Sequence, residues 1–323
     1  MLSRVAESIY WMARYVERAE NLARLCDVNQ QLLLDLPEGA GAQWMPILHA
    51  TGEHEQFTKR FTTPTQENVV RFLSFDPANP SSILQCLTIA RENARGIREI
   101  ISSEMWEQVN RFWLMVRDAA GDASVPGDPH AFFTRVKQAS HTFVGIAYLT
   151  MTHNEAWHFA RMGRLLERAD ATSRILDLKH FILLPELSDI GTPFDELHWA
   201  AILKSASAFE MYRKQHGVVR PAMVAEFLLL EHKFPRSVRY GVTKAERSLH
   251  AITGRPIGSY LTTAEQKLGR LRGDLEEVEV DDIVAGGMHE WLDDLQGRLD
   301  GVGSAVFDTF FALRPVTGAH VRA

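Results

Sequence analysis

The chain has 323 residues, a formal net charge of −6, 46% apolar residues and 24% charged residues. That length buries about three quarters of the extended surface without disulfide or metal staples. The acidic balance excludes bulk attraction to nucleic acid, and no run of about 18 uncharged apolar residues exists to span a bilayer. Cys26 and Cys86 both sit in apolar helical patterns, which points to buried thiols in a reducing cytoplasm. The N-terminus carries Arg4, Glu7, Arg14 and Glu17 where a secretory signal needs an apolar core.

Taken in order, the pattern predicts a first helix over 3–35, capped by Ser3 and ended by Pro37 and Gly39-Ala-Gly41. A helix with a wetter face follows over 44–60, and another opens at Thr65 or Gln66 and runs through Phe75. Asp76-Pro-Ala-Asn-Pro80 is a turn, after which Ser82 caps a run to residue 119 with Ser102-Ser103 as its internal break point. Residues 121–129 form a linker. Helical spacing resumes over 130–152, 154–183 (stopped by Pro185), 193–215 and 221–231. Phe234-Pro-Arg-Ser-Val starts a helix reaching Ile252, runs at 262–275 and 281–311 close the fold, and the tail from Arg314 is frayed. Strand alternation is almost absent and the loops are short. The fold class is therefore all-α, a multi-helix bundle.

One phrase is written twice. Arg14-Tyr-Val-Glu17-Arg18-Ala-Glu20-Asn-Leu-Ala-Arg24-Leu-Cys-Asp27 returns as Arg164-Leu-Leu-Glu167-Arg168-Ala-Asp170-Ala-Thr-Ser-Arg174-Ile-Leu-Asp177, an offset of 150 residues. Such an offset is far longer than a solenoid unit. It predicts a helical domain over 1–252 in two pseudo-equivalent halves, 1–125 and 126–252, with a C-terminal helical extension over 253–313. The wheel puts Arg14, Arg18 and Asn21 opposite the apolar stripe of the first copy, with Glu17 and Arg24 on its flank and Glu20 closer to it.

Charges at fixed places allow several readings. They form exposed ion pairs on two amphipathic helices, a buried network in which each copy's forks hold the other's carboxylates, or a polar cleft gripping a carboxylate, phosphate or peptide terminus. Glu17, Glu20, Glu167 and Asp170 also resemble the paired carboxylates that bundles use for hard divalent ions, but neighbouring arginines compete for the same oxygens and no His stands at the three-on position. Arg91, Glu92 and Arg95 form a second charged cluster, and Arg213 and Arg236 are further candidate donors for an anion. The acidic run over 274–294 is a solvated face or a docking surface for a basic partner. Neither common nucleotide-binding glycine motif, no Cys-x-x-Cys, no His-Glu-x-x-His and no serine elbow occurs.

The opening Leu2-Ser-Arg-Val-Ala-Glu-Ser-Ile-Tyr-Trp-Met-Ala-Arg-Tyr-Val-Glu-Arg-Ala-Glu-Asn21 resembles bacterial alpha-E domain proteins. Ala90-Arg-Glu-Asn-Ala-Arg95, Ser103-Glu-Met-Trp106, Gly163-Arg-Leu-Leu-Glu-Arg-Ala-Asp170, Ser205-Ala-Ser-Ala-Phe-Glu-Met-Tyr-Arg213 and Phe234-Pro-Arg-Ser-Val238 extend the resemblance over most of 2–250. It implies an all-helical protein that accompanies a circularly permuted ATP-grasp ligase and often a transglutaminase-like protease. It therefore implies a helical partner subunit in ATP-dependent amide or peptide synthesis, with ATP and magnesium held by the ligase and no cofactor on this chain. Two rivals stand beside that expectation: a free-standing enzyme with a carboxylate-based metal or acid/base centre, and a non-catalytic assembly scaffold.

Overall fold

The computed structural model describes residues 1–35, 44–181 and 192–312. In chain order its helices are α1 (Ser3–Asp35), α2 (Met45–Ala50), α3 (His54–Thr58), α4 (Gln66–Phe75), α5 (Ile83–Gly96), α6 (Ser103–Ala120), α7 (His130–Thr150), α8 (Glu155–Phe181), α9 (Pro193–Ser205), α10 (Phe209–His216), α11 (Pro221–Leu230), α12 (Val238–Thr253), α13 (Thr263–Glu277), α14 (Val280–Gly286) and α15 (Met288–Val306), then a π-helical turn at Phe307–Phe311. No strand occurs among the described residues, and the fold is all-α. The expected stops at Pro37, Gly39, Gly41 and Pro185, and the tail from Arg314, lie outside the described residues.

Three runs that read as continuous helices are broken, each for a local reason, and the run over 82–119 divides at the expected Ser102-Ser103. Gly52 at φ +74° separates α2 from α3, Ser207 at φ +51° separates α9 from α10, and Gly287 at φ +97° separates α14 from α15. None of these backbones continues a right-handed helix. Between α5 and α6 the break is a cap. The Ser102 hydroxyl accepts the Met105 amide at 3.2 Å and restarts the helix.

α1 runs through the middle of the fold, with α8 crossing it, α5 packed on α1 and α12 packed on α8. Both central helices are buried along most of their length, so an apolar stripe and the face opposite it are both covered. Of the residues that the wheel puts opposite the apolar stripe, Arg14 and Arg18 reach Glu167 on α8 and Asn21 accepts from Arg236. Phe311 packs on Tyr10 and Phe159, and Phe310 packs on Phe159, which ties the C-terminal turn into the same core.

The outer helices fall into look-alike pairs. α4 and α11 each have ten residues. Ser82 caps α5 and donates to the Asp76 carbonyl at 2.9 Å, while Ser237 caps α12 and donates to the Glu231 carbonyl. Ser102 and Thr262 cap α6 and α13. On α7, His130 Nδ1 lies 2.6 Å from Asp27, and on α15 His289 Nδ1 lies 2.7 Å from Asp177.

The crossing of α1 and α8 depends on Gly163. A Cβ there would lie 2.6 Å from the Tyr10 carbonyl and 3.2 Å from the Arg14 side chain. Gly163→Ala is expected to destabilise the fold by about 1–3 kcal/mol, whereas Gly273→Ala on α13, where nothing lies within 4 Å, gains about 0.5–1 kcal/mol. Urea unfolding of the two variants checks this. Equal effects would show that the helices separate without cost.

Candidate functional site

Where α1 and α8 cross, the two copies of the charged phrase exchange side chains. Arg14 Nε donates to Glu167 Oε2 at 2.8 Å, and Arg18 donates to both oxygens of Glu167 at 2.5 and 3.1 Å. In return Arg168 forks onto Glu17 at 2.6 and 2.8 Å. Glu17 is wholly buried and Glu167 is 3% exposed. Burial disfavours the charged form of Glu167, but Arg14 and Arg18 outweigh it and hold its carboxyl down at about 2. Against the opposing effect of burial, Tyr10 and then Glu167 raise the Arg14 guanidinium pKa above its ordinary range, and Glu167 raises that of Arg18.

Next along each helix come Glu20 and Asp170, and their surroundings differ. Glu20 accepts from Arg24 at 2.5 Å and from Arg236, with Ser140 at 3.3 Å and His141 at 3.4 Å. Burial works against its charge, yet Arg236, His141 and Arg24 hold its carboxyl well below the ordinary range. Asp170 takes only Arg174, through Oδ2 at 2.9 Å, and its buried Oδ1 has no partner. Burial accordingly pushes the Asp170 carboxyl up, and Arg174 offsets this only in part.

The space beside Asp170 is a cavity of about 360 Å³, bordered by Arg14, Arg18, Asn21, Glu167, Asp170 and Arg174, with Thr51, Glu53, Ser81 and Asp300 completing its polar lining. Small-molecule sites span about 300–1,000 Å³. Glu53 is 6% exposed and its Oε2 has no partner. Glu53, Ser81 and Asp300 carry no repeat signal of their own. The sequence trace of Ser81 is the likeness of Asn79-Pro-Ser-Ser-Ile83 to Phe234-Pro-Arg-Ser-Val238.

The other sequence candidates lie elsewhere. Arg164 borders a different, apolar cavity with Phe143, Tyr148, Trp157 and Arg161, so Arg14, Arg18, Arg164 and Arg168 do not line one cleft. Among the described residues Arg164 has no carboxylate partner, and burial together with Arg168 lowers its pKa to about 10. Arg91 donates to Asn110 at 2.7 Å and stacks over Trp113, while Glu92 bridges Arg91 and Arg95 on the surface. Arg213 is exposed over Phe209. Arg236 is absorbed by Glu20 and Asn21. Glu17, Glu20, Glu167 and Asp170 are each met by a guanidinium, and no group of three or more His, Cys, Asp or Glu among the described residues is placed to hold a metal. No described helix is long and apolar enough to cross a membrane.

Glu167→Gln leaves two buried guanidiniums against a neutral amide and is expected to cost about 3–5 kcal/mol at pH 7. A carboxyl held below its ordinary 4.5 adds stability above that pH and loses it as pH falls toward about 2. The gap between wild type and Glu167→Gln in urea unfolding therefore shrinks from pH 7 to pH 3; a constant gap would mean the ion pair is not its source. For Arg164 the sign reverses. Its lowered pKa makes the charge a burden at every pH below about 10, so Arg164→Met is expected to raise the melting temperature.

A predicted alpha-helical domain with a conserved ER motif, Alpha-E, matches residues 1–311, which takes in the C-terminal helices as well as the repeat. Glu17-Arg18 and Glu167-Arg168, the Glu-Arg pairs of the crossing, are two such dipeptides in this chain. The chain is 23% identical to uncharacterized proteins of Mycobacterium bovis and Mycobacterium tuberculosis over 335 aligned positions, covering 96% of this chain. It spans only 37% of the length of those relatives. No solved structure matches. The chain belongs to the Alpha-E family.

Proposed function

We propose that the protein is the helical partner subunit of a circularly permuted ATP-grasp amide or peptide ligase, and that it holds a charged substrate group in the cavity beside Asp170. The observation that carries this reading is the cavity itself, in which two buried carboxylate oxygens, Glu53 Oε2 and Asp170 Oδ1, lack partners while arginines stand beside them. Buried polar atoms are ordinarily satisfied, and leaving one unmet costs about 1–3 kcal/mol. A site that accepts a polar ligand recovers that cost on binding. ATP and magnesium belong to the ligase in this scheme, and a transglutaminase-like protease is a further partner. The buried thiols of Cys26 and Cys86, pushed up to about 12 by burial, suit a reducing cytoplasm.

The matched part of the mycobacterial relatives is 37% of their length, so in those proteins the helical unit is joined to further polypeptide, which fits a unit that works beside another. In the ligation step its role is positional. Gripping one reactant at a fixed distance from the ligase's activated carboxylate turns an encounter into an oriented reaction. The crossing forks take no part in the grip, because Glu17 and Glu167 already occupy them. That closure favours a second reading, a non-catalytic assembly scaffold.

Co-purification with the ATP-grasp protein encoded nearest to this chain, followed by ATP-consumption assays with amino acids and peptides, tests the proposal. A stable complex with substrate-dependent ATP turnover is expected, and Asp170→Asn should lower that turnover roughly tenfold while leaving the complex intact. Unchanged turnover in Asp170→Asn would favour the scaffold, and absence of association at micromolar concentrations would overturn the partnership.

A further inference from the structure

The helices around the crossing match in pairs, and the match singles out one difference. α1, α4, α5, α6 and α7 correspond to α8, α11, α12, α13 and α15 by their caps, by the ten-residue length of α4 and α11, and by the contacts of Asp27 with His130 and of Asp177 with His289. In that register Glu20 on α1 and Asp170 on α8 hold the same place. The residue before the α12 cap is Arg236, which reaches Glu20 and donates to Asn21 at 3.1 Å. The residue before the α5 cap is Ser81, which borders the cavity beside Asp170. Counting from His130 and His289, His141 on α7 corresponds to Asp300 on α15. His141 stands 3.4 Å from Glu20, and Asp300 borders the cavity. A guanidinium and an imidazole on one side are thus replaced by a hydroxyl and a carboxylate on the other.

We propose that this cavity is a socket for an organic cation, a guanidinium or primary ammonium group, which takes the place beside Asp170 that Arg236 takes beside Glu20. The proposal rests on the reading of the cavity as the substrate site and names the chemistry it accepts. Three arginines face four carboxylates around the cavity. Arg14 and Arg18 both close on Glu167, and Arg174 closes on Asp170, so each lining arginine already has a carboxylate. The unmet capacity is on the acceptor side, at Glu53 Oε2 and Asp170 Oδ1. Against them stands one unpartnered buried donor, Asn21 Nδ2, which suits a carbonyl on the same molecule. Charge-assisted bonds to buried carboxylates are the stronger kind. A basic amino acid amide or a basic residue of a peptide supplies both groups, and its volume fits the cavity of about 360 Å³. Bare metal ions are poorly served, since no described group offers three ligating side chains.

The test titrates the full chain with argininamide and agmatine by calorimetry at pH 7.5 and low salt, with acetate and N-acetylglycine as anionic controls. Saturable binding of the cations alone is expected. Ser81→Arg supplies the missing guanidinium from the protein, so it should raise the melting temperature and weaken argininamide binding by roughly tenfold or more. Should Ser81→Arg fail to fold, Asp170→Asn decides, with the same loss of cation binding expected from a folded variant. No saturable binding up to about 10 mM, preference for the anions, or undiminished argininamide binding in a folded variant would each overturn the cation socket. These outcomes concern the isolated chain. They stand whether or not a ligase complex forms, so failure here and failure of the partnership are told apart.

Discussion

The fold depends on the exchange of guanidinium forks between α1 and α8. Glu17 and Glu167 are carried into the interior by the two helices that form its centre, where an unpaired carboxylate costs several kcal/mol. Each is tolerable only because the opposite helix brings arginine to it, and the geometry of a bidentate fork leaves little latitude. The two helices are therefore locked in register by charge as well as by the close approach at Gly163. Everything else is arranged outside that pair, with α5 and α7 against α1 and α12 and α15 against α8.

Much of this was legible because a buried ion pair constrains sequence more tightly than an apolar contact does. An apolar stripe accepts many residues, whereas the forks require arginine and carboxylate at fixed intervals, so the phrase at 14–27 survives visibly at 164–177. The all-α class was readable for the usual reason that periodicity is dense and turn signals are sparse. The wheel placed Arg14, Arg18 and Asn21 opposite the apolar stripe but carried no sign that a second helix covers that face, since the pattern of one helix says nothing of its neighbours. Helix continuity through Gly52, Ser207 and Gly287 was misjudged, since a positive φ is set by the surrounding packing and leaves only a faint local trace in a serine. Glu53, Ser81 and Asp300 were not singled out for a different reason, although Ser81 shares the short pattern around Arg236. They come from three distant segments that meet only in the folded chain, and each by itself is an ordinary polar residue.

Arg164 shows where the two copies of the charged phrase part company. Its counterpart Arg14 reaches Glu167, but on the other side Glu17 is taken by the fork of Arg168, with Arg236 at 3.8 Å. Arg164 is left beside Trp157 and Phe143 with its pKa depressed to about 10 by burial and by Arg168. A guanidinium from the residue before the α12 cap thus lies against both Glu20 and Glu17, and Arg164 pairs with neither.

The opposite side shows the complementary imbalance. A network serving stability alone has an evident solution for Asp170, because the chain uses it at Glu20: an arginine just before a helix cap. Serine at position 81 forgoes that solution, and Asp300 adds negative charge here, whereas Glu20 has His141 beside it. The protein carries an unsatisfied Asp170 oxygen and a buried Glu53 oxygen in a cavity with room for a ligand. Strain and unmet polarity of this kind persist where the surrounding fold is stable enough to bear them. The closed side of the crossing supplies that stability. Around Glu20 the charged phrase closes on Arg24 and Arg236 and holds the helices in place, whereas around Asp170 it leaves an acceptor unmet, which is the preorganised place we propose for a cation.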